Sequence, residues 1–170
     1  VLSGVAGFEN GAGVMLPDGS VRLEPAAVPL GELAALARVL AAATGAALRT
    51  LLDLDDGELA AYTGLSGNAL AAARARRATL PLLVEKCWDD ALRRALPAAP
   101  AVRLVRGNRF LHLQGNHDKV DVVPRLLALA KHGAGAVVAL GDSPNDAGML
   151  AAADVAVIVS IGLDHTKTLG

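Results

Sequence analysis

The spacing of hydrophobic positions changes along the chain, and each change marks an element. Over residues 5–21, Phe8-Glu9-Asn10-Gly11-Ala12 leads into Val14-Met15-Leu16, the turn signal Pro17-Asp18-Gly19-Ser20 and a return at Val21. This predicts a strand end, a glycine-assisted turn and a short hairpin. Residues 29–44 repeat with a helical period, and Gly45 is placed to stop the helix; residues 56–62 predict a second helix, stopped at Gly64. Ser66 is a favourable N-cap for a third helix reaching Arg77. Residues 80–84 form a strand-type apolar run, residues 88–96 read as helix, and Pro97 and Pro100 break the chain after that helix.

Residues 102–105 and 109–114 predict strands separated by the hairpin-like Gly107-Asn108. A helix is expected from near Asp118 to just before Gly133. Its Pro124 calls for a kink or a later start, because a proline beyond the first turn loses a backbone bond. Residues 136–140 are entirely apolar, 141–146 are a polar loop, 145–152 a short helix and 155–159 a predicted buried strand. Strand, helix, strand, loop, helix, strand is the alternation of a parallel α/β sheet.

The 170 residues, 53% of them apolar, suffice for one packed domain or for a core with an inserted cap. The net charge of -1, from 16 basic and 17 acidic residues, gives no footprint for nucleic acid or an anionic membrane. The richest apolar stretch, 33–43, is interrupted by Arg38 and is too short for a bilayer, so no membrane span is expected. A single cysteine, Cys87, excludes an internal disulfide, makes a reducing cytoplasm the natural compartment, and reads as filler because no motif surrounds it. The chain opens on Val1 without a leader pattern, which leads to the expectation of a fragment.

The strongest chemical signal is Gly141-Asp142-Ser143-Pro144-Asn145-Asp146, directly after the apolar run 136–140. At the C-terminal end of a parallel strand such a loop faces the ligand crevice, and two carboxylates with an amide suit a hard cation such as magnesium. Gly141 would relax the backbone at the turn. The same letters also serve to cap the following helix, through Asn145 or Asp142. Upstream, Asp118-Lys119 stands between a strand and a helix, where a lysine can hold phosphate at the positive helix end or remain a solvated surface residue.

In this order and spacing, Lys119 resembles the motif III lysine, and residues 141–146 resemble motif IV, of haloacid-dehalogenase (HAD) superfamily phosphatases. Glu9-Asn10-Gly11-Ala12 is similar to the signature that precedes the cap in the sugar-phosphate branch. Tyr62-Thr63-Gly64-Leu65-Ser66 with the basic helix to Arg77, and Asn108-Arg109-Phe110-Leu111-His112-Leu113 with Asp118-Lys119, resemble the mannosyl-3-phosphoglycerate phosphatase family.

The resemblance implies a Rossmann-like parallel-sheet core, incomplete at its N-terminus, with an inserted α/β cap: core 1–21, cap 22–106, core 107–170. It implies Mg2+ as cofactor, a small phosphorylated sugar or glycerate as substrate, and hydrolysis through an aspartyl-phosphate. Asp142 and Asp146 would hold the metal, Gly141, Ser143 and Asn145 would support the loop, and Lys119 would neutralise charge in the transition state. Arg76 matches a substrate-binding cap position, with a solvated helix face beside Arg74 and Arg77 as its plainer reading; His112 lines the pocket or is a structural histidine.

Three departures accompany the resemblance. No Asp-x-Asp-Gly run occurs, so no nucleophile is assigned; Asp53-Leu54-Asp55-Asp56-Gly57 comes near it but lies before a helix, where capping is its natural role. Arg77 and Leu80-Pro81 stand where the family favours an acidic residue and then Glu-Pro, and residues 160–170 do not resemble the family's closing helix. Two readings compete with this family: another sugar-phosphate phosphatase of the superfamily, and a non-catalytic phosphosugar-binding relative.

Overall fold

The turn signal at 17–20 closes a hairpin because Asp18 accepts the Ser20 backbone N–H at 2.8 Å, while Gly19 adopts φ 81° and its N–H donates to the Leu16 carbonyl. The hairpin joins β2 (Gly13–Met15) to β3 (Val21–Leu23), and β1 (Ala6–Phe8) pairs with β2 on the other side, all antiparallel. The computed structural model describes residues 4–98, 101–107, 110–129, 135–142 and 144–159.

Next come α1 (Leu30–Thr44), the two-residue β4 (Arg49–Thr50), α2 (Asp56–Thr63) and α3 (Gly67–Arg74). Gly45 and Gly64 both take the left-handed conformation at φ 73°, which ends α1 and α2 where the glycines predict. Asp55 caps α2, accepting the Glu58 N–H at 2.8 Å, so the acidic run at 53–56 has the capping role expected of it. The third helix departs from expectation. Ser66 makes no side-chain cap bond, and the helix stops at Arg74 rather than Arg77, because the backbone at 77–79 is engaged by other parts of the chain.

The chain continues through β5 (Thr79–Leu83), α4 (Asp89–Arg94), β6 (Val102–Arg106) and β7 (Leu111–Gly115), forming an antiparallel sheet of order β4-β5-β7-β6. Leu33, Ala37 and Leu40 of α1 and Leu92 of α4 pack on Leu80, Leu82, Leu104, Leu111 and Leu113 of the sheet. Each fully buried leucine contributes about 2 kcal/mol of transfer free energy. The alternate residues of the same strands, Thr79, Pro81, Arg103, Val105, His112 and Gln114, are cross-strand neighbours on the opposite face. The β6–β7 hairpin straddles the cap boundary expected at Arg106, since pairing from Arg106↔Leu111 to Val102↔Gly115 carries this sheet on to Gly115.

A 3-10 turn (Lys119–Val122) precedes α5 (Val123–Leu129), so the α-helix starts late and Pro124 falls in its first turn. The end of that helix before Gly133, residues 108–109, Ser143 and residues 160–170 lie outside the described residues. Last come β8 (Val138–Gly141), a 3-10 turn (Pro144–Asp146), α6 (Ala147–Ala151) and β9 (Val155–Ile158), with β8 and β9 parallel. Contrary to expectation β9 is exposed along its whole length, because nothing among the described residues covers Val155, Val157 and Ile158. No described helix is long and apolar enough to cross a membrane.

Candidate active site at the end of strand β8

Gly141 ends β8 without a side chain, and that space is taken by Asp146: a Cβ added at Gly141 would lie 2.5 Å from the Asp146 Cβ. The Asp146 carboxylate is buried, and its Oδ2 accepts the Asp142 backbone N–H at 3.1 Å. Its Oδ1 meets the Lys119 Nζ at 2.5 Å. The two halves of the sequence signal, 27 residues apart, are therefore one ion pair. Asp142 is exposed beside it.

Lys119 is placed by its own turn. Asp118 accepts the Lys119 N–H at 2.6 Å, and Asp121 accepts the Asp118 N–H at 2.6 Å, a capping box that fixes the start of the turn. Arg103, from β6, pairs with the Asp118 carboxylate at 3.2 Å and donates to the His117 carbonyl. Gln114, fully buried on β7, donates to the same carbonyl at 3.1 Å and accepts from Asn10 at 3.1 Å. Through these hydrogen bonds the antiparallel sheet holds the Lys119 loop in place.

A cavity of about 620 Å3 opens beside this centre, lined by Glu9, Asn10, Arg76, His112 and Asn145 among others. A smaller one of about 360 Å3, lined by Lys119 and Met149, shares Phe8, Glu9 and Asn10 as its wall. Arg76 thus faces a cavity rather than forming part of a solvated helix surface. Its Nε is buried without a hydrogen-bond partner; burial pushes its pKa below the usual value while the Glu9 charge opposes the shift. Burial, followed by the Arg76 and Arg106 charges, lowers His112 from 6.5 to about 4, and its Nδ1 is also buried without a partner. An uncharged imidazole and a guanidinium whose Nε lacks a partner form a polar lining in one cavity, suited to an anionic or hydroxyl-bearing ligand.

Sequence reasoning missed Gln114, His117 and the part played by Glu9. His117 is buried, and burial lowers its pKa against the opposing carbonyls of Ala26 and Glu9, although neither ring nitrogen completes a hydrogen bond of normal geometry. The run Asn116-His117-Asp118-Lys119 offered one signal, since a histidine two residues before a motif lysine shares its loop and so its surroundings.

Carboxylates that could hold a divalent cation are few. Among the described residues no group of three or more His, Cys, Asp or Glu gathers in one place. Magnesium, however, takes one or two protein carboxylates and completes its shell with water and substrate phosphate. Asp142 and Asp146, on one strand-end loop, fit that requirement.

No family model matches the chain. The architecture defines an α/β protein with a Rossmann-like core segment and a cap, and solved structures share it. Protein 0175 of Thermoplasma acidophilum superposes with a TM-score of 0.61 at 19% identity, over 90% of this chain and 57% of that one. BT1666 from Bacteroides thetaiotaomicron, analysed among phosphatases of the haloalkanoate (HAD) enzyme superfamily, gives 0.56 at 20% identity, over 85% and 58%. At these identities the likeness establishes the fold, and the chain spans less than three fifths of the length of either structure.

Proposed function

We propose that this chain is part of a magnesium-dependent phosphatase of the HAD type, acting on mannosyl-3-phosphoglycerate to release mannosylglycerate and phosphate. The observation that carries the reading is the Lys119–Asp146 ion pair at the end of β8, next to a cavity bearing Arg76, His112 and Asn145. Asp142 and Asp146 are the residues that would hold the metal, which when bound supplies Lewis-acid polarisation of a phosphoryl oxygen.

In this reading the Lys119 ammonium offsets the charge of the transferring phosphoryl group, a preorganised electrostatic contact of the kind that dominates phosphoryl transfer. The attack itself belongs to a carboxylate that the reading does not place within this chain. Its oxygen bonds to phosphorus as the ester P–O bond breaks, the departing glycerate 3-oxygen takes a proton, and water then cleaves the acyl phosphate. Arg76 and His112 bind the remote part of the ester, and that binding energy is used in the transition state. The core–cap division 1–21, 22–106 and 107–170 belongs to the same proposal.

The test is a panel of phosphate esters with the protein at its full natural length and magnesium present. Mannosyl-3-phosphoglycerate is expected to be preferred over an aryl phosphate, and Asp142→Ala to abolish turnover while leaving the melting curve unchanged. Full activity in that variant would overturn the assignment of the strand-end loop. The 170 residues alone are expected to release no phosphate above background. Tight binding of the sugar phosphate without turnover at full natural length would favour the phosphosugar-binding relative instead.

A further inference from the structure

Residues 9–11 are three successive left-handed positions: Glu9 at φ 47°, Asn10 at φ 58° and Gly11 at φ 89°. Two of them carry side chains, which costs on the order of 1–2 kcal/mol each, so the surroundings must hold the turn in place.

The Glu9 side chain reaches across the molecule. One carboxylate oxygen accepts the Arg77 N–H at 2.7 Å and the other the Ala78 N–H at 2.9 Å, while the Glu9 carbonyl faces the Thr79 hydroxyl at 3.3 Å. These peptides lie between the end of α3 and the start of β5, so Arg76 is bracketed by a helix terminus and a clamped backbone. The other side of the turn touches the Lys119 loop. A Cβ on Gly11 would stand 2.0 Å from the Asp118 carbonyl oxygen and 3.0 Å from the Lys119 nitrogen, a contact open only to glycine. Glu9 and Asn10 also form the wall shared by the Arg76 cavity and the Lys119 cavity.

We propose that Glu9 is a positioning residue that sets the separation between Arg76 and Lys119, and so selects phosphate esters carrying a second anionic group at a fixed distance; the proposal rests on the phosphatase reading above. A glutamine in its place has the same size but one acceptor fewer, and its NH2 would face a backbone N–H. Arg76 would then lose its clamp while the Lys119–Asp146 pair keeps its own contacts.

The experiment compares wild type, Glu9→Gln and Glu9→Asp at full natural length. The probes are a phosphate ester bearing a carboxylate and an aryl phosphate without one. Glu9→Gln is expected to raise KM for the carboxylate-bearing ester at least tenfold while changing kcat/KM for the aryl phosphate less than threefold. Glu9→Asp, which keeps both acceptors on a shorter stem, is expected to fall between. Equal losses on both esters, or an unchanged KM with a lower melting temperature, would reduce Glu9 to a structural brace and overturn the proposal. If wild type hydrolyses neither ester, the phosphatase reading fails on its own, and amide NMR decides the positioning role. Movement of the Arg76 resonances in Glu9→Gln with the Lys119 amide in place supports the positioning role, whereas unmoved Arg76 resonances overturn it.

Discussion

The β4-β5-β7-β6 sheet and the β8–β9 pair treat similar residues in opposite ways. Leu80, Leu82, Leu111 and Leu113 are 0% exposed beneath α1 and α4, while Leu140 is 59% and Ile158 80% exposed on the parallel pair. The first region has helices over its apolar face and closes a core without help. The second lies beside the Lys119–Asp146 ion pair, on two strands whose apolar side chains remain uncovered among the described residues. The packed core and the candidate site are therefore lodged in separate places, joined by the Asn10–Gln114–His117–Arg103–Asp118 network.

Substitutions should separate the two regions. The largest effect is expected from Leu113→Ala, which removes a buried side chain from the middle of the sheet and should cost about 3–5 kcal/mol in urea unfolding. Leu140→Ser on the open pair should stay within about 0.5 kcal/mol. Equal losses from the two would show that β8–β9 is covered in solution. Next in size, Lys119→Ala should lower kcat about a hundredfold or more at full natural length. If turnover holds and only the melting temperature falls, the lysine serves solely to neutralise buried Asp146.

The smallest effect concerns pH and belongs to the polar face of the sheet. His112 is lowered to about 4 from 6.5, chiefly by burial, so the unfolded chain takes up its proton first as pH falls. Stability should be fully present above pH 6.5 and decline toward pH 4, by about 2 kcal/mol once the ring's contact with water is allowed for. The lowered His117 adds to the loss in the same direction. Urea unfolding between pH 7.5 and 4 should show a shallower decline in His112→Gln than in wild type. Identical slopes would remove His112 as the source.

What could be read from the sequence was local. Gly45 and Gly64 stop their helices and Pro124 delays its helix, while Lys119 and Asp146, each singled out in the sequence, meet as an ion pair that the sequence did not announce. What could not be read depends on partners far away in sequence. The early end of α3 comes from Glu9, 68 residues upstream of Arg77, and Gln114 owes its role to Asn10, 104 residues away. Strand β4, two residues long, exists only as the pairing of Arg49 with Leu83 and Thr50 with Leu82. The apolar run of β9 reads as buried because hydrophobicity reports what a strand prefers, not what packs against it.

The missing side chain at Gly141 also constrains descent. Because the Asp146 Cβ stands 2.5 Å from where a Cβ at Gly141 would lie, position 141 cannot drift freely while position 146 carries a side chain. A lineage that keeps the acid at position 146 is pinned to glycine at position 141. Exchange of the acid for alanine or serine keeps that Cβ, so position 141 stays glycine even in a lineage whose strand end has given up its carboxylate. Glycine at position 141 would thus outlast the carboxylate, as the inherited trace of a strand end that once carried it.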